Sequence, residues 1–466
     1  MITIPIDTNN KQPIYLQIYN YIKQEILKGH LKAQEKLPSA RALAANLEVS
    51  RSTIDTAYQQ LVAEGYVDAK QKRGYFVVPI THLQQFSSHR PGKSLSHINR
   101  ESKEIIPFDF NPNAIDTQHF PYSIWKSLGK NHLDNPDNFV SGLHYGEYAL
   151  RQAISDYLHG SRGVSCSPEN IIVGAGLDHL LSMLCILFDR HTMIAMENPG
   201  YRSARQVLQA NDYSILDIPL KNDSMDISIL SHSQADLCYV TPSHQFPMGT
   251  VMPISQRQEL LSWANDRPDR YIIEDDHDSE FRYKGKPIPA LQSLDTADKV
   301  IYLGTFSKSI SPAIRTGYMV LPDSLIEQYN IKCGNYACPV SRLTQALLTD
   351  FIHEGYFEKH LNRMRKLYKT KHDHMLQAVQ DYFSTGMVEI SGDHAGLYII
   401  LCYTGSLTEE EICKRAKENG IRLHSLKKYY ASLPADYQPT FLLGFANLSN
   451  KMIDEGIRLL AQQVFA

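Results

Sequence analysis

The stretch IYLGTFSKSISPAIRTGY puts a lysine amine, Lys308, in a Thr/Ser-rich turn after a strand-like run, with Arg315 seven residues later. An amine beside hydroxyls and a guanidinium can form a Schiff base with an aldehyde while the arginine holds a phosphate on the same molecule. A lone Ser-Lys pair carries no weight. Thr305, Ser307 and Arg315 in register with Lys308 give the pattern its meaning. Upstream, YIIEDDHDSEFRY is a second strand-like run that ends in carboxylates. A pyridine-based aldehyde needs an acid facing its ring nitrogen, so that the ring stays protonated and withdraws electrons. Asp275 suits that role, with Asp276 and Glu274 as the other candidates, because successive strand residues face opposite ways. His277 falls on the same side as Asp275, towards the ring's phenolic oxygen. Acidic strand ends also bind metals in other enzymes, but no metal is expected here.

Three further pieces are weaker alone. IIVGAGLDHLLSML is a strand, then Gly174-Ala175-Gly176, then an apolar helix beginning at Leu177, whose first amides can approach a phosphate. In MENPGY, Tyr201 follows a strand end and can stack on a flat ring, or simply pack. VTPSHQFPMG opens a strand into a loop suited to a cis proline, with His244 and Gln245 as possible contacts.

These motifs sit at the ends of apolar runs (IIVGAG, TMIAMENP, LCYVTP, YIIEDD, VIYLGT) that alternate with helical stretches. That alternation predicts an α/β domain over 106–466, with a mainly parallel sheet and a smaller C-terminal α+β part. The front of the chain reads differently. Ile14, Ile18, Ile22 and Ile26 recur every four residues before Gly29, giving one apolar helix face. Two short helices follow, with Ser39 and Ser50 as N-caps, and then an extended pair around Arg73-Gly74. Helix, helix–turn–helix and hairpin over 11–78 outline a winged helix. Residues 79–105, rich in Ser, His, Gln and Pro, read as a flexible linker.

The chain has 466 residues and a formal charge of −3, but residues 1–105 carry 14 Lys+Arg against 9 Asp+Glu, a local excess of +5. A basic front on an acidic body is what an encounter with a polyanion through the front alone requires. In a helix–turn–helix the second helix enters the major groove with its first turn leading. Here that turn is Ser50-Arg51-Ser52-Thr53, where Arg51 can fork to a guanine or a phosphate and the hydroxyls can meet phosphate oxygens. Arg41 on the preceding helix, and Lys72 with Arg73 at the wing tip, extend the positive surface. Seven scattered cysteines with no CxxC pair argue against a disulfide framework or a zinc cluster. No apolar run is long enough to span a bilayer and no secretory signal stands at the front, so a cytoplasmic protein is expected.

LPSARALAANLEVSRSTIDTAYQQLVAEGYV followed by RGYFV resembles the DNA-binding domain of the GntR family of bacterial regulators. From about Ile106 onward, the order of the motifs resembles the aspartate aminotransferase fold, fold type I of the pyridoxal phosphate enzymes. The two together, with EDDHDSEFRY, TPSHQFPMG and GTFSKSISPAIRTGYM, resemble the MocR/GabR subfamily in particular. The resemblance implies pyridoxal 5′-phosphate bound covalently by Lys308, Asp275 on the pyridine nitrogen, and Thr305, Ser307 and Arg315 on the phosphate. It also implies a head-to-tail homodimer that binds double-stranded operator DNA.

Two departures matter. The subfamily usually has tyrosine where His277 stands. Catalytic members of the fold have an arginine in the C-terminal stretch that grips the substrate carboxylate, and matching FLLGFANLS to it places Leu442 there. Leucine has no donor for a carboxylate. The expectation is therefore a transcriptional regulator that senses the cofactor, alone or with a small amine or amino acid. The other readings are a working aminotransferase with a DNA-binding head, for which Arg205 is a conceivable substitute clamp, and a cofactor fold kept only for dimerisation.

Overall fold

The computed structural model describes residues 4–7, 12–79, 106–283, 285 and 288–465. It divides into two units, Met1–Lys103 and Glu104–Ala466. The expected linker lies, apart from residue 79, outside the described residues.

In the first unit, α1 (Ile14–Leu27) buries Ile18, Tyr19, Ile22 and Ile26, the stripe its four-residue spacing demands. Helix α2 (Ala40–Leu47) starts where the Ser39 side chain accepts the Ala42 amide at 3.1 Å, and α3 (Arg51–Ala63) where Ser50 accepts from Thr53 at 3.2 Å. Both serines satisfy amides that the first helical turn leaves without partners. Ile54, Ala57, Tyr58 and Leu61 of α3 complete the core with Leu43, Val67 and Val77. Ile4 is also buried in it, so this core reaches further towards the N-terminus than the residue 11 boundary read from sequence. Strands β1 (Val67–Lys70) and β2 (Gly74–Val77) pair antiparallel. The segment before α2 joins them as a third edge: Leu37 N donates to Tyr75 O, Gln34 N to Val77 O, and Val77 N to Glu35 O.

The second unit is built on an eight-stranded sheet in the order Ile171–Gly174, Gly317–Val320, Val300–Thr305, Tyr271–Asp276, Leu237–Val240, Met193–Asn198, Ser214–Lys221 and Ser224–Met225. The central strands pair parallel; Gly317–Val320 runs antiparallel to both of its neighbours. The central strands are buried along nearly their whole length, which is why they read as continuous apolar runs rather than alternating ones. The 27-residue helix Tyr356–Tyr382 precedes a smaller antiparallel sheet of four strands, Val388–Ser391, Tyr398–Tyr403, Thr440–Gly444 and His424–Ser425. Motif residues collect where the parallel strands end, the edge at which open α/β sheets bind ligands.

Candidate functional site

At that edge lies a cavity of about 180 Å³ lined by Asn113, Leu177, Asp178, Tyr201, Asp275, His277, Thr305, Ser307, Lys308, Pro312 and Arg315. Eight of the nine cofactor residues expected from sequence are in that lining. The ninth, Gly176, stands just behind it: a Cβ there would lie 3.0 Å from the Arg315 guanidinium, and its φ of +90° is open to glycine.

The strand Tyr271–Asp276 resolves which carboxylate faces the cavity. Glu274 is fully buried and accepts the Leu291 and Gln292 amides at 2.7 and 2.8 Å. Asp276 is held by Arg162 at 2.8 Å and by the Tyr302 hydroxyl. Only Asp275 remains for the cavity, and there Tyr239 donates to it from the neighbouring strand. Burial pushes the Asp275 carboxyl up to about 6; the hydrogen bond from Tyr239 and the nearby His277 oppose that rise. A cationic ring nitrogen arriving at this carboxylate would favour its charged form.

Lys308 Nζ donates to Pro112 O at 3.0 Å, and Asn113 Oδ1 is 3.5 Å away. Burial brings the amine down to about 8, against an opposing pull from Asp278. A larger share of it is therefore neutral, and nucleophilic, near neutral pH than for an exposed lysine. Arg315, itself at φ +48°, donates to Ala175 O at 3.1 Å and stands 3.7 Å from Asp178. This sets its guanidinium beside the start of the helix Leu177–Leu187, where amides and a cation together favour a phosphate.

Two expectations change. His244 and Gln245 do not line the cavity: His244 is paired with Asp278 at 2.6 Å, and Gln245 braces its own loop through Pro199 O and Phe246 O. The Phe246–Pro247 peptide in that loop is cis. Arg205 cannot serve as a carboxylate clamp here, because Asp217 on the adjacent strand holds its guanidinium. Leu442 is fully buried among Phe246, Tyr398, Ile400, Leu426 and Tyr429. Sequence reasoning missed Asn113, Asp178 and Pro312 in the lining and Tyr239 behind Asp275. Asp178 and Pro312 sit within motifs already singled out, but Asn113 is 195 residues from Lys308 and gives no local signal. A larger hollow of about 550 Å³ is lined by Asp156, Arg162, Glu280 and Arg365 among others. Its charges are mixed and it holds no lysine placed like Lys308, so size does not locate the chemistry.

In the first unit, Arg41, Arg51, Lys72 and Arg73 are exposed. Arg51 pairs with Asp55 at 3.4 Å. The Ser50 hydroxyl meets those of Ser52 and Thr53 at 2.8 and 2.7 Å.

Residues 14–77 match the model of bacterial regulatory proteins of the gntR family, and residues 103–460 that of aminotransferase class I and II. The chain is 33% identical over 475 residues to the probable rhizopine catabolism regulatory protein MocR of Rhizobium meliloti, covering 99% of this chain and 96% of that one. It belongs to the MocR/GabR subfamily of GntR-type regulators. Another member, the pyridoxine biosynthesis regulator PdxR of Corynebacterium glutamicum, is 31% identical across 95% of this chain and 94% of its own. The HTH-type regulator YdeL of Bacillus subtilis is 40% identical over 96% of both. Among solved structures, a kynurenine aminotransferase from Pyrococcus horikoshii, crystallised with pyridoxamine phosphate, superposes with a TM-score of 0.70 at 26% identity, covering 78% of this chain and 91% of that one. The subfamily's cofactor is pyridoxal 5′-phosphate. A buried carboxylate, a desolvated lysine and an arginine beside a helix start are the donor set it needs.

Proposed function

We propose that this protein is a sequence-specific DNA-binding transcriptional regulator in which pyridoxal phosphate on Lys308, alone or with a small amine, is the sensed ligand. Bound there, the cofactor supplies an aldehyde for the lysine and an electron-withdrawing ring. Asp275 would face the ring nitrogen, Tyr201 would cover the ring, and Thr305, Ser307, Arg315 and the helix start at Leu177 would hold the phosphate.

The observation that carries the sensor reading is the apolar wall around Leu442. A complete set of cofactor residues adjoins a position where a carboxylate clamp would have to reach, and that position is closed by Phe246, Tyr398 and Ile400. With a leucine at 442 and Arg205 tied to Asp217, neither position considered for the clamp offers a free cation to an amino-acid substrate. DNA contact falls to the first turn of α3 (Ser50, Arg51, Ser52, Thr53), to Arg41 and to the wing residues Lys72 and Arg73. A homodimer is supported by the exposed apolar side chains Leu133, Phe139, Val140, Leu143 and Ile331 on the large unit. Among the described residues no helix is long and apolar enough to cross a membrane, and this reading takes the protein to act on DNA in the cytoplasm. Switching requires that the loaded and empty forms differ in affinity for two arrangements of the heads.

The test is an absorbance titration of purified apoprotein with pyridoxal phosphate, then with amines and amino acids, with operator binding followed in parallel. Saturable, hydride-trappable loading that alters operator binding is expected, with little keto acid released. Rapid multiple-turnover release of keto acid would make the protein an aminotransferase with a DNA-binding head. A colourless, unlabelled protein would leave the fold only a dimerisation role.

A further inference from the structure

Behind His277 lies a group of side chains to which the cofactor roles above give no task. Asp278 is fully buried, and His244 and His277 both face its Oδ1, with Nδ1 at 2.6 Å and 3.1 Å respectively. The His244 contact is a good hydrogen bond. The His277 contact is at ion-pair distance but lacks hydrogen-bond geometry, and neither nitrogen of that ring has a partner. His244 Nε2 and Asp278 Oδ2 are buried and unpartnered too. Away from the cavity the cluster is closed by aromatic rings and backbone. The rings of Phe246 and Tyr398 stand beside the two histidines, and a Cβ on Gly396 would fall 2.4 Å from His244 Cε1 and 2.9 Å from Asp278 Oδ2. Four unsatisfied polar atoms in so dry a place are costly unless they serve something.

The proton count says what. Burial raises the Asp278 carboxyl, but the two imidazoles outweigh it and hold the group well below the ordinary carboxylate range. As an anion it can only accept, so His244 Nδ1, hydrogen-bonded to it, carries a proton, and a proton on His277 Nδ1, 3.1 Å away, is favoured. His277 lines the cavity, and a neutral ring with its proton on Nδ1 would have only a lone pair at Nε2 to present to a ligand there. An anionic oxygen in the cavity needs a donor. One extra proton on the cluster makes it neutral overall and turns His277 into a donor at both nitrogens. The tyrosine usual at this position would donate without help; histidine needs a carboxylate behind it.

We propose that Asp278 and His244 are positioning residues that hold a proton on His277, so that its Nε2 donates to the anionic phenolic oxygen of the cofactor. The inference rests on the cavity being the pyridoxal phosphate site. His277 lies among Asp275, Asp278, His244, Lys308, Tyr201, Arg315 and Asp178, and of these only Asp278 and His244 lie outside the cavity. His244 thus influences the ligand through Asp278 without touching it, as outer residues orient the inner ones of a metal site.

The test uses the full-length protein and a two-by-two set: wild type, Asp278→Asn, His277→Tyr and the double variant, each checked for a native thermal melt. Affinity for pyridoxal phosphate is read by titration across pH. Asp278→Asn is expected to weaken binding about tenfold or more in the wild-type background. In the His277→Tyr background it should cost little, because a phenol needs no carboxylate to donate. His244→Gln should give a smaller loss that likewise disappears with tyrosine at 277. An equal cost of Asp278→Asn in both backgrounds would make Asp278 a structural residue and overturn the proposal. Nitrogen-15 imidazole shifts of the apoprotein give a readout independent of the cofactor: Nδ1 protonated in both rings is expected, and a bare Nδ1 on His277 would refute it. Stoichiometric zinc retained by the purified apoprotein would also refute it, since the cluster would then be a metal site. Failure of the wild type to bind pyridoxal phosphate at all would instead strike the cofactor reading.

Discussion

The head and the cofactor pocket use charged side chains in opposite settings. Arg51 is 71% exposed at its side chain, and Arg41, Lys72 and Arg73 also lie in solvent. Asp275 is 4% exposed, and Lys308 is desolvated enough to shift its proton equilibrium. In water a charge is inexpensive to hold and acts through number and reach, so the head's residues should contribute separately. Deep in the pocket Asp275 and Lys308 are costly charges held by specific partners and should act as a unit, while Arg315 at its mouth stays 55% exposed at its side chain. The two regions should therefore fail differently when altered.

The largest effect is expected from Lys308→Ala. Covalent retention of the cofactor after hydride reduction and denaturation should be lost entirely, while the protein stays folded and sediments as the wild type does. Residual labelling would move the attachment point elsewhere and blur the contrast. Next is Arg51→Ala, which should cost about 1–3 kcal/mol at the cognate operator if the guanidinium reads a base. An unchanged footprint would remove Arg51 from the interface. Third, the rate at which pyridoxal phosphate attaches should depend on pH through Lys308. Only the neutral amine attacks, so with the amine brought down to about 8 the rate should rise with pH and level off above that value. Below it the rate should fall about tenfold per unit. A profile that kept rising to an ordinary lysine's range would show that burial does not tune this amine. The smallest effect is Lys72→Ala, which should weaken binding evenly across DNA sequences and lower the salt-dependence slope by about one. A change confined to one base position would instead make the wing a reader of sequence.

Local motifs made much of this legible in the chain. Lys308, Thr305, Ser307 and Arg315 lie within eleven residues, and a strand followed by a tight turn brings them together with little freedom. Ser39 and Ser50 were readable as caps because capping is a local hydrogen bond. The acidic triplet was not resolvable in advance: a strand's alternation says that neighbours face opposite ways, not which parity faces the cavity. That parity came from long-range partners, with Arg162 claiming Asp276 and the Leu291 and Gln292 amides claiming Glu274. Arg205 misled for the same reason, since Asp217 lies only 12 residues away but on a separate strand. His244 was visible in its motif, yet its partner Asp278 is 34 residues away across the sheet. Where the other half of a contact comes from distant chain, residue type alone was insufficient.

The edge formed by Gln34, Glu35 and Leu37 against β2 has a mechanical meaning. A push on the hairpin tip by a DNA backbone would pass along three main-chain bonds into the residues leading straight into α2, bypassing the side-chain packing between helices. Hairpin and helix pair would then tilt as one rigid lever, so the angle at which the tip settles would also set how deeply α3 is seated.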